Sequence, residues 1–347
     1  MSVQASPIRA PRWSRPTFLL PEDQLSICVE GKPDHVSLQC EDGPVIHLAT
    51  HTAASDTSAA ADTTLLHLVA PVPAQIQAGL YDLVMSMGGV THRQPRAVRI
   101  DTSPPAVVRI AYTSDWHLLQ VSSDGSERDQ TPRLEALVDE LNRLGLDAIV
   151  HLGDLITRYQ LPSKAPQPVA VIESQMKRAH DLLGRLTAPL FLLPGNHDVA
   201  FDRCRASWAA HVGHAPGPTD DSAVTLGPVQ LVQLDGFVHY DEISYEMGPE
   251  RLTNEQLDFV NGVAATRPAR WRLVGCHYDY SRQILPHFDR LGVDAFFYGH
   301  SKQLEVEPFE AAGCADGHLA GSTAYRLALA TEDMLDVAAP VSYQGLP

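Results

Sequence analysis

After residue 106, apolar runs of this chain end one after another in residues of the types that hold metals. "AVVRIAYTSD" leads into Asp115-Trp116-His117, "LDAIVHLGD" closes on Gly153-Asp154, and "PLFLLPGN" leads to Gly195-Asn196-His197-Asp198. "RWRLVGCH" and "VDAFFYGH" end in His277 and His300. Runs of this length and composition read as buried strands. In open α/β sheets, ligands bind in the crevice beyond the carboxyl ends of the strands, so these distant residues are expected to converge.

Helical segments lie between the strands. They include "TPRLEALVDELNRLG", "PVAVIESQMKRAHDLLGRL" and "TNEQLDFVNGVAA", the last capped by Thr253 or Asn254. Strand–helix alternation predicts an α/β layer fold with helices covering the sheet. Residues 1 to 105 have a different texture. Short runs such as "LSICVEG", "HVSLQC", "TLLHLVAP" and "GLYDLVMSM" are separated by turn residues, with no helix-period segment. That pattern predicts a small antiparallel sandwich of immunoglobulin or fibronectin type, with Tyr81 as a corner tyrosine. The polar, Ala-rich "THTAASDTSAAADTT" reads as an exposed loop. "DTSPPAV", a stiff Pro-containing connector, marks the boundary. The expected domains are 1–105 and 106–347, in keeping with a 347-residue chain.

A formal charge of −16 argues against non-specific nucleic-acid binding, which needs a basic surface. It leaves room for a small phosphorylated or anionic substrate at a local cationic site. No run is long enough to span a membrane, and the N-terminus has no signal-peptide core. Five cysteines, none in a CxxC spacing, read as reduced thiols. The expected location is cytoplasmic. A homo-oligomer built through the N-terminal domain is one use for the sandwich, beside shaping the cleft or binding a partner.

Carboxylate and amide oxygens with imidazole nitrogens suit Zn, Mn or Fe, and no cysteine is required. Two such metals roughly 3.5–4 Å apart clamp a phosphoryl group and lower the pKa of a bridging water. The order Asp-x-His, Gly-Asp, Gly-Asn-His-Asp, His, Gly-His resembles the calcineurin-like metallophosphoesterase family over about residues 107 to 330. Gly321-Ser322 and Arg326 resemble the segment that trails the last motif. The resemblance implies a four-layer α/β core, two sheets flanked by helices, and hydrolysis of a phosphate mono- or diester. It implies that Asp115 and His117 bind a first metal, that Asp154 bridges, and that Asn196, His277 and His300 bind a second. His197 would protonate the leaving group or contact the phosphoryl oxygen, and Asp198 would orient it or stand behind the ligands. Arg158 stands where an arginine of the protein-phosphatase branch binds phosphate, although the rest of that branch's motif is absent.

One position departs from the family. Where the family has a second histidine in Gly-His-x-His, this chain has Lys302. A protonated lysine has three donors and no acceptor, so it does not ligate a metal. Three readings follow. The first metal persists with water or another side chain, His287 and His318 being available in sequence. Or one metal remains, and the Lys302 ammonium contacts an anionic, even non-phosphate, substrate. Or the cleft binds without turnover. Two metals per chain are expected, and one is the alternative.

Several nearby residues have plainer readings. His151 lies inside an apolar strand and reads as a core histidine, and Trp116 reads as packing. Cys276 faces away from His277 by strand alternation. Tyr278, Asp279, Tyr280 and Arg282 follow His277 on a loop that either lines the cleft or is simply solvated.

Overall fold

A computed structural model describes residues 6–40, 43–57, 64–160, 163–212, 221–236, 252–266, 269–280, 291–300, 311–313 and 323–343. The chain divides into two compact units, Gln4–Pro105 with Pro189–Phe191, and Ala106–Ala188 with Leu192–Pro347.

The first unit is all β. Its strands are β1 (Ile8–Ala10), β2 (Thr17–Leu19), β3 (Gln24–Glu30), β4 (His35–Gln39), β5 (Val45–His47), β6 (His51–Thr57), β7 (Thr64–Pro71), β8 (Gly79–Met87) and β9 (Val90–Ile100). They form two sheets, β1-β3-β7-β6 and β2-β9-β8-β4-β5. Alternation puts Leu25, Ile27, Val29, Leu68 and Ala70 of one sheet, with Val36, Leu38, Tyr81, Leu83 and Met85 of the other, into one buried cluster. Each large aliphatic side chain so buried contributes about 1.5–3 kcal/mol. Tyr81 donates its hydroxyl to the Gln77 carbonyl four residues upstream (2.8 Å), as a tyrosine corner does.

The expected loop in the Ala-rich segment needs correction. His51–Thr57 is strand β6, paired antiparallel with β7. A polar edge strand satisfies its backbone through its neighbour without supplying the hydrophobic alternation that would announce it. Residues 58–63 lie outside the described residues.

The second unit carries two sheets. The first contains β10 (Val107–Thr113), β13 (Ala148–His151), β20 (Thr323–Thr331), β21 (Leu335–Val337) and β22 (Val341–Tyr343), and its order continues into β14 (Leu190–Leu192), of which only Leu192 belongs to this unit. The second contains β15 (Ser222–Leu226), β16 (Val229–Leu234), β17 (Trp271–Cys276), β18 (Ala295–Tyr298) and β19 (Ala311–Gly313). A small hairpin, β11 (Leu119–Val121) and β12 (Glu127–Asp129), precedes the first helix. The α/β core expected from strand–helix alternation is present, with mixed rather than purely parallel sheets. β10 pairs parallel with β13 but antiparallel with β20, and β16, β17 and β18 run parallel. The sheets meet through aromatic side chains: Tyr112 of β10 stacks on Phe297 of β18, ring centroids 3.6 Å apart.

The helices are α1 (Thr131–Arg143), α2 (Val169–Gly184), α3 (Asn196–Val199), α4 (Asp202–Val212) and α5 (Asn254–Thr266). α1 packs on β20 and α2, and α2 packs on α4. Thr253 caps α5. Its hydroxyl accepts the Gln256 amide while the Gln256 side chain accepts the Thr253 amide, both at 3.2 Å. β10 and β13 run parallel in one sheet, and β17 and β18 run parallel in the other. Among the described residues, no helix is long and apolar enough to cross a membrane.

Candidate metal centre

Each candidate ligand sits just past the end of a strand, where the backbone turns sharply. Asp115, His117, Asp154 and His300 have φ of +55°, +40°, +60° and +57°. They are four of the seven non-glycine residues with positive φ among the described residues. Such backbone costs of order 1–3 kcal/mol per residue and persists only where surroundings enforce it, so its concentration here marks a built site.

The glycines before the ligands follow from crowding. A Cβ on Gly153, itself at φ +101°, would lie 2.4 Å from the Gly195 nitrogen, and one on Gly299 would lie 2.0 Å from Ser114 Oγ. The turns therefore press against one another, and a larger residue would push the ligands apart.

The side chains converge on Asp154. Its Oδ2 lies 3.7 Å from His117 Nε2 and 3.5 Å from His277 Nε2, while its Oδ1 accepts the His197 amide (2.7 Å). His117 Nε2 is also 3.6 Å from Asp115 Oδ1. On the other side, Asn196 Oδ1 is 3.1 Å from His277 Nε2 and 2.9 Å from His300 Nδ1. Asp115 is held by Ser114 Oγ (2.5 Å) and the His300 amide (3.0 Å). Two triads of donor atoms, each lying within 4.8 Å, thus share Asp154: one with His117 and His197, one with His277 and His300. Donors about 2.0–2.2 Å from one cation lie roughly 3–3.6 Å from each other, and most of these separations are of that size.

Protonation tests whether a cation fits. His277 Nδ1 donates to the Leu152 carbonyl (2.7 Å), which leaves Nε2 as a bare lone pair. Burial pushes this imidazole down to about 3, so it stays neutral. Nε2 then turns its lone pair toward Asn196 Oδ1 and Asp154 Oδ2, with no proton of its own. A divalent cation resolves that arrangement, and the mixed oxygen–nitrogen donor set suits Zn, Mn or Fe. Burial, with the charges of Asp115 and Asp198, raises the Asp154 carboxyl well above its ordinary range. Asp115 is held low despite burial, by its hydrogen bond with His117 and the nearby imidazoles. For His117, contacts with Asp115 and Asp154 outweigh burial and raise the imidazole.

His197 differs from the other histidines. The Arg158 amide donates to its Nδ1 (3.1 Å), so in the neutral ring the proton is on Nε2. A ring nitrogen bearing a proton cannot ligate a metal. His197 therefore belongs to its triad by distance but faces it as a donor. Its ring stands edge-on to His117, centroids 4.6 Å apart. Arg158 is buried, its guanidinium flanked by Tyr159 and Phe201 and 3.4 Å from the Asn196 carbonyl. Among the described residues it forms no ion pair, which leaves a desolvated cation beside the centre.

Asp198 was expected to orient His197 or to stand behind the ligands. It does not orient His197. Oδ2 accepts the amides of Asp154 (2.8 Å) and Gly195 (2.9 Å), and Oδ1 those of Leu155 (2.9 Å) and Ile156 (3.3 Å). These four contacts fill its acceptor capacity.

Asp198 is part of a larger pattern. Six consecutive amides, from Gly153 to Arg158, are each accepted by a side chain. His151 Nδ1 takes Gly153 (3.1 Å), Asp198 takes the next three, Gln175 Oε1 takes Thr157 (2.8 Å), and His197 takes Arg158. The loop that presents both Asp154 and Arg158 is thus shaped by side chains from β13, α2 and α3.

Several residues were missed or underread from sequence. Gln175 was missed; its Nε2 also donates to the Thr157 carbonyl (3.1 Å). A visible signal existed, since Gln175 falls in step with Ile172, Met176 and Ala179 on the buried face of α2. Tyr278 and Tyr280 are buried rather than solvated, with Tyr278 packed edge-to-face on His300 at 4.8 Å. Cys276 is buried and burial raises its thiol. Arg326 is buried on β20, donating to the Ala338 carbonyl (3.2 Å). Lys302, Arg282, His287, His318, Gly321 and Ser322 lie outside the described residues.

Residues 108–303, more than half of the chain, match the family model for calcineurin-like phosphoesterases. The chain belongs to that family, whose members bind divalent metals. Among solved structures, it is similar to the sulfate thiohydrolase SoxB of Thermus thermophilus in complex with glycerol. There the identity is 12% and the TM-score 0.45, over 70% of this chain and 57% of that one. It also aligns with the amylomaltase of Corynebacterium glutamicum at 13% identity and TM-score 0.22, over 52% of this chain and 29% of that one. The chain spans only part of both.

Proposed function

We propose that this protein hydrolyses a phosphate mono- or diester at a centre of two divalent metals. The observation that supports this most is the gathering of lone pairs around Asp154 Oδ2, with a proton donor and a buried guanidinium beside it. Asp115, His117 and Asp154 would hold the first metal; Asp154, Asn196, His277 and His300 would hold the second. Metals held there would activate a water near neutral pH and draw charge from the phosphoryl oxygens.

The chain's own residues do the rest. The His197 Nε2–H is poised to protonate the departing oxygen, and its tautomer is fixed by the Arg158 amide. The Arg158 guanidinium offers charge-assisted hydrogen bonds to a phosphoryl oxygen without losing an existing carboxylate partner. Tyr278 covers one edge of the His300 ring. The substrate is a small phosphorylated or anionic molecule, and the net charge of −16 disfavours non-specific nucleic acid.

Lys302 sets the terms of the test. Metal content is measured on protein purified without chelators, then turnover of p-nitrophenyl phosphate and bis-p-nitrophenyl phosphate with Mn2+ or Zn2+ added. Two metals per chain and turnover of either ester support the proposal. One metal per chain would favour a mononuclear centre with Lys302 as an anion contact. Full occupancy without turnover of either ester would favour a cleft that only binds. Lys302→His should raise metal affinity and generic esterase activity if lysine merely weakens the first site.

A further inference from the structure

His151 reads in sequence as a core histidine, yet its ring is not idle in the core. It is fully buried in the last position of β13, three residues before Asp154. Its Nδ1 accepts the Gly153 amide at 3.1 Å. At the other end of the same residue, the Gly153 carbonyl accepts the Asp115 amide (2.9 Å) and lies 3.3 Å from Ser114 Oγ. The His151 ring also meets Trp116 edge to face, centroids 4.8 Å apart, and Trp116 stands between Asp115 and His117. The indole is itself tied to Thr113 Oγ1 (3.3 Å). One imidazole thus touches both strand-end turns that supply the first metal's ligands.

We propose that His151 is a positioning residue for the metal centre. Its Nδ1 fixes the turn that presents Asp154, and its ring braces Trp116, which stands between Asp115 and His117. The role requires a neutral ring with an unprotonated Nδ1, and burial, which lowers this imidazole to about 3, keeps it so. The inference rests on the metal reading of the site and is independent of the substrate.

The test compares His151→Asn, His151→Gln and His151→Leu in the full chain. Asn places its Oδ1 where Nδ1 was; Gln keeps size and polarity but moves its polar groups one bond outward; Leu keeps bulk alone. Mn2+ affinity and stoichiometry are measured by calorimetric titration of chelator-stripped protein, together with the melting temperature of the metal-free form. Loss of a group that orients metal ligands typically costs about 10–100-fold in affinity. The expected result is a loss of at least tenfold in Gln and Leu and a clearly smaller loss in Asn, which restores the acceptor for the Gly153 amide but not the ring against Trp116. Should Leu fail to fold, the Asn–Gln pair still decides. The proposal is overturned if all folded variants bind Mn2+ as the unsubstituted chain does while only melting temperatures fall, for His151 would then be packing. It also falls if Asn loses as much affinity as Gln. Failure of the unsubstituted chain to bind Mn2+ or Zn2+ would instead remove the metal reading itself, a result visible in the control.

Discussion

In the N-terminal sandwich, β3 and β8 bury every second side chain in a shared apolar cluster, and the turns carry scattered side-chain acceptors, such as Asp23 on the Leu20 amide and Asp34 on the Gly88 amide. The Tyr81 hydroxyl on Gln77 is a single side-chain tie at one corner. In the second unit the strands bury both faces near their ends, as β13 and β16 do throughout. The loops beyond them are then cast by buried polar side chains. Residues 153–158 spend six amides on four side chains, a density found nowhere among the described loops of the sandwich. The difference teaches where each unit stores its stability. Area burial holds the sandwich and tolerates small changes of shape. The second unit depends on hydrogen bonds that are modest when made and costly when one partner is removed.

The largest effect is expected from keeping the candidate metal centre empty. A ligand that binds only the folded state at about a thousandfold above its Kd stabilises by about 4 kcal/mol per site. Stripping with a chelator should therefore lower the melting transition of the second unit and leave the sandwich transition in place, as read by calorimetry. A drop in both, or in neither, would show that the units are not held by different means.

Asp198→Ala comes next. It leaves the amides of Asp154, Gly195, Leu155 and Ile156 without their acceptor. At about 1–3 kcal/mol for each buried unsatisfied group, partly relieved by entering water, the expected loss is about 4 kcal/mol. Asp82→Ala is the sandwich's counterpart. That carboxylate accepts the Arg96 amide at 2.7 Å and pairs with the half-exposed Arg93, so about 1–2 kcal/mol is expected. Denaturant titration of both variants gives the contrast, and equal losses would erase it.

Gln175→Leu sharpens the contrast in the middle of the scale. It removes the acceptor of the Thr157 amide and the donor to the Thr157 carbonyl, for an expected loss of about 2–3 kcal/mol. Gln175→Glu keeps the acceptor and loses the donor, so it should fall between Leu and Gln in the same titration.

The activity prediction separates donor from ligand at His197. His197→Ala should slow phenyl phosphate hydrolysis by about 10²-fold or more, because a poor leaving group needs its proton. It should affect p-nitrophenyl phosphate much less and leave metal content unchanged. Loss of one metal per chain would instead make His197 a ligand.

Legibility followed the same division. The strand-end residues were readable because each follows an apolar run, and the fold can only place such ends together. Tyr81 and the Thr253 cap were readable because their partners are three or four residues away in sequence. The roles of Asp198, Gln175 and His151 were not, because each depends on the path of a loop that another element supplies. Asp198 lies next to His197 in sequence, yet its carboxylate reaches residues 154–156, more than forty positions earlier. Strand β6 escaped notice for the converse reason. Its pairing with β7 needs backbone alone, and Ala, Ser and Thr leave no pattern to read.

The smallest expected effect tests the sandwich on its own terms. Tyr81→Phe keeps the ring among Leu83, Met85 and their neighbours and deletes only the hydroxyl that reaches the Gln77 carbonyl. The carbonyl sits at a turn where water can replace the phenol, so the loss should be about 1 kcal/mol, the worth of one ordinary hydrogen bond. For a unit of this size that corresponds to a fall of roughly 4–8 °C in its transition. The second unit's transition, the metal stoichiometry and the Mn2+ affinity should not move. A loss of 3 kcal/mol or more would mean that the corner is as dependent on a single polar tie as residues 153–158 are, and that area burial is not what holds the sandwich. Alternation along β8 argues otherwise: with Tyr81, Leu83 and Met85 still buried in register, the strand keeps its place without the hydroxyl.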